Sequence, residues 1–189
     1  VKIFGIDPGS NRTGYGCIDY SGSQHRLVTY GAIATPPRAS FPEKLRCIHS
    51  ELVTLLATHQ PACVAVESLF HARNVQSVLK LGHARGVAVL AAAQAGVTLV
   101  EYTPSEIKRA VVGYGRAEKQ QVQQMIKLLL ELDDIPTPHD AADALAVAIC
   151  HAHQLTPSGT ISADSVAGRP KQRNWRKVKP ENLTTRGPS

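Results

Sequence analysis

The sequence predicts an α/β fold in which a five-stranded mixed sheet, in strand order 3-2-1-4-5, is flanked by helices. Three observations predict it. The stretch up to Ala34 reads as three strand-like runs broken by tight-turn compositions. Beyond it, helical and strand periods alternate, as they do where crossovers add parallel strands. Two apolar runs, Ile3 to Ile6 and Cys63 to Val66, each close on an acid, Asp7 and Glu67, as strands do when their ends carry a site.

The first three strands are Val1 to Asp7, Gly14 to Tyr20 and His25 to Ala34. Pro8-Gly9-Ser10-Asn11 and Ser21-Gly22-Ser23 separate them with turn chemistry, which makes an antiparallel meander. A helix then begins after Ser40, where Glu43 completes a capping box, and keeps helical spacing through Leu45, Ile48, Leu52, Leu55 and Leu56 to Gln60-Pro61. The fourth strand is Ala62 to Glu67. Asn74 to Gln94 is helical in period and rich in Gly and Ala, a composition that lets another helix approach closely. The fifth strand is Thr98 to Tyr102, and Thr103-Pro104-Ser105-Glu106 combines a capping threonine, proline at the first helical position and glutamate at the third. After the Gly113-Tyr114-Gly115 break come a helix from Ala117 to Leu130, a Pro-rich connection and a last helix from His139 to His153. Right-handed crossovers on one side of the first strand and the meander on the other set the order, with strands one and four parallel neighbours. Asp7 and Glu67 are then expected to meet.

At 189 residues the chain suits one well-buried α/β core. Residues 1–154 are expected to form that domain and 155–189 a basic, loosely attached tail. No apolar run reaches the roughly 20 residues of a membrane span, and the first residues lack a secretory layout, so a cytoplasmic protein without membrane contact is expected. Cys17, Cys47, Cys63 and Cys150 show no metal-site or redox spacing and read as free thiols. The net charge is +6, which favours a polyanionic partner. Seven Lys and Arg against Asp164 and Glu181 put five of those six charges beyond Leu155, around Lys171-Gln172-Arg173-Asn174-Trp175-Arg176-Lys177.

Chemistry gathers on four acids. Asp140 and Asp143 lie three residues apart, about 60° around a helix, so both can point one way while Ala141, Leu145, Ala146 and Ile149 face the sheet. Four carboxylates at the ends of touching elements need counter-charge. Hard oxygen donors of this kind suit Mg²⁺, with Mn²⁺ as substitute, and two such ions can activate water and stabilise the leaving oxygen of a phosphodiester. Arg73, Lys80, Lys108, Arg109, Arg116 and Lys119 are candidates for phosphate contacts, and Gly9 to Gly14 for an anion-cradling turn. His151 and His153, at a helix end, read as partners of its dipole.

Five motifs carry a specific resemblance: Gly5-Ile6-Asp7-Pro8-Gly9-Ser10 with Thr13-Gly14-Tyr15-Gly16, Val66-Glu67-Ser68-Leu69-Phe70, Leu79 to Gly86, Val111-Val112-Gly113 with Ala117-Glu118-Lys119, and Asp140-Ala141-Ala142-Asp143-Ala144-Leu145-Ala146. In this order they resemble the RuvC family of Holliday-junction resolvases, endonucleases of the RNase H-like superfamily. The resemblance implies a homodimer that binds four-way junction DNA and, with Mg²⁺, nicks two strands of like polarity, working with a junction-binding protein, RuvA, and a branch-migration motor, RuvB. It implies that Asp7, Glu67, Asp140 and Asp143 are the catalytic, metal-holding acids. Phe70 matches an aromatic acting at the junction centre, and Lys108 and Lys119 match basic residues near the scissile phosphate. Some relatives carry histidine for the first acid of the last helix, so His139 is an accessory candidate beside Asp140. Two alternatives stay open: an RNase H-like nuclease acting on RNA–DNA hybrid, and a junction-binding scaffold that does not cleave.

Overall fold

The central strand β1 (Lys2–Asp7) assigns both faces of the sheet by its alternation. In the computed structural model, which describes residues 1–68 and 75–155, Phe4 and Ile6 of β1 point into one core layer and Ile3 into the other. β4 (Cys63–Glu67) repeats the pattern, with Val64 and Val66 on the first side and Cys63 and Ala65 on the second. With β2 (Arg12–Ser21), β3 (Gln24–Ala34) and β5 (Thr98–Tyr102), the sheet order is β3-β2-β1-β4-β5, as expected. β1 pairs antiparallel with β2 and parallel with β4, where Ile6 stands beside Val66. A period of two therefore sends Asp7 and Glu67 to the face of Ile3 and Ala65, side by side at the strand ends.

Two helices cover the first face. α1 (Phe41–His59) begins as its sequence dictates: the Glu43 carboxylate accepts from the Ser40 backbone N–H at 2.8 Å and from its hydroxyl at 2.7 Å. Ile48, Leu52 and Leu56 bury one stripe. α2 (Val75–Gln94) buries Ala84, Ala88, Ala91 and Ala92, so its small residues serve close packing within the molecule. Gly82 and Gly86 lie elsewhere, on an open face with Val78, Leu79 and Leu90. α2 thus has two apolar sides.

The second face is covered by α5 (His139–Ala152), over which α3 (Pro104–Val112) and α4 (Lys119–Leu129) pack. Thr103 and Glu106 cap α3 reciprocally, the Thr103 N–H donating to Glu106 at 2.7 Å. Sandwiched between sheet and helices, α5 buries every residue from Ala144 to Ala152 and carries apolar residues nearly all round. Its approach to the sheet is set by glycines. Gly5 pairs with Gly16, and Gly14 stands opposite Asp7. A Cβ on Gly5 would strike the Ala144 carbonyl, one on Gly14 the Asp140 carbonyl, and one on Gly16 the Leu145 side chain. Helix backbone rests almost directly on strand backbone there.

Two details differ from the sequence reading. β2 begins at Arg12, two residues earlier than turn composition suggests, because Arg12 and Thr13 pair with Ala34 and Ile33 of β3. His151 does not act at the helix end. It is buried, its Nδ1 2.7 Å from the Tyr102 hydroxyl, and burial holds its pKa below the usual histidine value. His153 Nδ1 instead lies 2.9 Å from the Ala110 carbonyl. The cysteines are free, with Cys47 only half-buried, and burial pushes the Cys17 and Cys63 thiols up to about 11. No helix among the described residues is long and apolar enough to cross a membrane.

Candidate active site

Asp7 ends β1 and Glu67 ends β4, both half-buried beneath the N-terminal turn of α5. The Asp7 carboxyl is raised from 3.8 to about 8, chiefly by burial and then by the charges of Glu67, Asp143 and Asp140. Glu67 is raised too, chiefly by burial and then by Asp143, while a hydrogen bond with Asp7 works the other way. A proton shared between these carboxyls is the local answer to crowded negative charge. The four acids named from the sequence are thus electrostatic neighbours. They come from three elements, and the glycine seat under α5 is what draws the helix close enough.

Each acid of α5 meets a cation from a different element. Lys119, at the start of α4, donates from Nζ to Asp143 Oδ2 at 2.6 Å. Burial disfavours the charge on Lys119, yet the hydrogen bond and the attraction of Asp143, Asp7 and Asp140 leave its pKa above the ordinary lysine value. Arg12, at the start of β2, places Nη1 3.7 Å from Asp140 Oδ2. Lys108 of α3 joins Glu67, Lys119 and Asp143 around a cleft of about 240 Å³. With the carboxylates so engaged, no group of three or more His, Cys, Asp or Glu among the described residues is already arranged around one metal position. The donor set nevertheless fits a hard divalent cation: four carboxylates, two of them raised by burial and mutual repulsion, are the surroundings that such an ion relieves.

His139 and Asp140 turn different ways, as two residues about 100° apart on a helix must. The His139 ring is exposed and places Nδ1 2.8 Å from Gln123 of α4, whereas Asp140 lies among the charges acting on Asp7. The turn after β1 is closed on itself: the Thr13 hydroxyl donates to the Gly9 carbonyl at 2.8 Å and accepts from its N–H at 3.3 Å. That N–H is not aimed at an outside anion. Phe70 and Arg73 lie outside the described residues, as does the basic cluster of the tail. Sequence reading overlooked Arg12 and the buried Gln123. Arg12 sits inside a turn-like string, and a lone glutamine on a polar helix carries no pattern; strand pairing brings Arg12 to Asp140, and helix packing brings Gln123 to His139.

The model of the family "Crossover junction endodeoxyribonuclease RuvC" matches residues 3–151. The crossover junction endodeoxyribonuclease RuvC of Heliobacterium modesticaldum is 55% identical over 156 residues, covering 82% of this chain and 96% of the relative. Among solved structures, Thermus thermophilus RuvC aligns with a TM-score of 0.76 at 35% identity, over 81% of this chain and 94% of that one. T. thermophilus RuvC in complex with Holliday junction substrate aligns with a TM-score of 0.75 at 32% identity over the same shares. The matched span contains all four acids, Lys108 and Lys119, and with that breadth of agreement the chain belongs to the RuvC family of crossover junction endodeoxyribonucleases.

Proposed function

We infer that this chain is a Holliday-junction resolvase, a metal-dependent endonuclease that cuts two strands of like polarity at four-way DNA junctions, with Asp7, Glu67, Asp140 and Asp143 as its catalytic acids. The observation that carries the reading is the placement of Asp7, half-buried at the end of β1 beside three other acids, its carboxyl pushed up to about 8 first by burial and then by their charge. A fold keeps such a cluster at a cost, and a polyanionic substrate would be repelled unless cations stand between acid and phosphate. These four acids would hold Mg²⁺, or Mn²⁺ in its stead, as two ions, which would supply an activated water and charge for the leaving oxygen. The chain's own part is positional. Asp7 and Glu67 offer oxygens from the rigid sheet, and Asp140 and Asp143 from the helix seated on it. Lys119 and Lys108 stand at the cleft where a scissile phosphate would lie, and His139, outside the acid cluster, acts at most as an accessory proton acceptor or phosphate contact.

Symmetric incision needs two sites related by a twofold axis, and the open face of α2 supports a homodimer. Leu45, Val78, Leu79, Gly82, Gly86 and Leu90 line an apolar groove of about 530 Å³ on that face. Exposed apolar residues at helical spacing of this kind suit a second copy of the same helix. By family resemblance Phe70 stacks at the junction centre and Arg73 contacts backbone phosphate, while RuvA and RuvB are the partners. Residues 1–154 form the nuclease unit, 155–189 add a basic tail, and the work is done in the cytoplasm. A nicking assay on a synthetic four-way junction, with and without Mg²⁺ and beside an RNA–DNA hybrid, tests the reading. Paired Mg²⁺-dependent nicks on the junction alone are expected. Cleavage of the hybrid alone, or junction binding without nicks, would replace it.

A further inference from the structure

Among the described residues, Arg12 is the cation paired with these carboxylates that the proposed reaction leaves unused. It opens β2, and β2 flanks β1 on the side opposite β4 and β5. Lys108 and Lys119 line the cleft that Glu67 borders, on the β4 side. The acids therefore lie between two cationic flanks, and Arg12 holds the second. Its grip on Asp140 is loose: the ion pair spans 3.7 Å, and the Arg12 side chain is 53% exposed. Pairs of that kind hold weakly in water. The backbone beneath is by contrast well tied. Lys44 donates to the Asn11 side chain at 2.7 Å, Thr35 N–H donates to the Asn11 carbonyl at 3.1 Å, and Thr13 is locked to Gly9. The side chain can leave Asp140 while its anchor stays in place.

We propose that Arg12 and the divalent ion compete for Asp140, and that the displaced guanidinium clamps a DNA backbone phosphate on the β2 flank of the site. The inference rests on the reading of Asp140 as a metal ligand. An ion on Asp140 brings two positive charges beside the guanidinium, so attraction turns to repulsion. A phosphodiester oxygen at the rim is the natural next acceptor, since the guanidinium offers paired donors matched to phosphate. Arg12 is thus a positioning residue with two partners. It neutralises the helix acid before the ion arrives and helps fix the strand once the ion is bound.

The test uses the full chain and Arg12→Gln, Arg12→Lys and Asp140→Asn variants, each checked for native circular dichroism. Mn²⁺ binding without DNA is followed by calorimetry, and junction binding in Ca²⁺ is followed over a salt series. Arg12→Gln is expected to bind Mn²⁺ about two- to fivefold more tightly than the wild type, with Arg12→Lys close to the wild type. Its junction affinity should fall, and the slope of log affinity against log salt should become shallower by about one. Mn²⁺ binding by Arg12→Gln that is unchanged or weaker would overturn the competition, and an unaltered salt slope would overturn the phosphate clamp. Should Asp140→Asn leave Mn²⁺ binding intact, the metal-site reading itself falls. Loss of binding in that variant beside an indifferent Arg12→Gln removes only the role given to Arg12.

Discussion

At Asp7, burial and the charges of Glu67, Asp143 and Asp140 raise the carboxyl to about 8 from an ordinary 3.8. The folded chain therefore holds this proton across a pH range in which the unfolded chain has lost it. A carboxyl raised in this direction adds stability that is complete below about 3.8 and is lost as pH rises through about 8. Urea unfolding in chelator should show stability declining between these limits, at no more than about 1.4 kcal/mol per pH unit from this group. Asp7→Asn should flatten the decline, although Glu67, raised in the same sense, leaves part of it. Metal affinity should run the opposite way, growing with pH because binding expels the proton. Cleavage tests the same residues: Asp7→Asn or Glu67→Gln should keep junction binding and lose nicking, and near-normal nicking by either would remove it from the catalytic set. Between adjacent residues, Asp140→Asn should abolish nicking and His139→Ala should slow it only modestly. Single-turnover rates on one junction decide, and a dead His139→Ala beside an active Asp140→Asn would reverse the assignment.

Among the elements, α5 is held by what β1 and β2 lack. Gly5→Ala would drive a methyl into the Ala144 backbone, and backbone has no rotamer with which to yield. The helix must lift, at about 1–3 kcal/mol of stability. Activity should suffer beyond that loss, because Asp140 and Asp143 move with the helix; nicking in proportion to folded protein would show that their placement tolerates the shift. α2 presents the contrary case. A Cβ on Gly86 meets nothing within 4 Å, so Gly86→Gln should fold as well as the wild type. On the open face it should nonetheless disrupt self-association. Sedimentation should find a monomer that binds junctions weakly, and an intact dimer would exclude this face.

For the whole molecule, charge is divided by role. The described residues set Glu67 and Asp143 in a cleft with Lys108 and Lys119, and Asp140 beside Arg12, whereas most of the net positive charge belongs to the segment beyond Leu155. Clustered Lys and Arg act on DNA through counterion release, which does not distinguish a branch from a duplex. Truncation after Leu155 should therefore weaken binding to junction and linear duplex alike and flatten the salt dependence of both. A loss confined to junctions, measured by titration at two salt concentrations, would mean that the tail reads branch structure.

Local rules were enough for the number and order of the strands, the caps at Ser40 and Thr103, and the expectation that Asp7 and Glu67 meet at neighbouring strand ends. Each follows from spacing along the chain or from the handedness of short connections, and these need no knowledge of distant contacts. Four acids at the ends of touching elements pointed to a hard divalent ion, and the resemblance of five motifs added the four-way junction as expected substrate. What the chain could not reveal locally came from pairs far apart in sequence. Gly5, Gly14 and Gly16 are ordinary strand positions in the sequence until α5 is laid upon them. Arg12 belongs to a turn by composition and to β2 by its pairing with Ala34, which is how it comes to reach Asp140. His151 meets Tyr102 of β5 because α5 is laid on the sheet, which brings together residues 49 apart in the chain. In each case burial and contact across the fold outweigh local propensity, since free energy depends on the neighbours that packing supplies and the linear sequence does not state them.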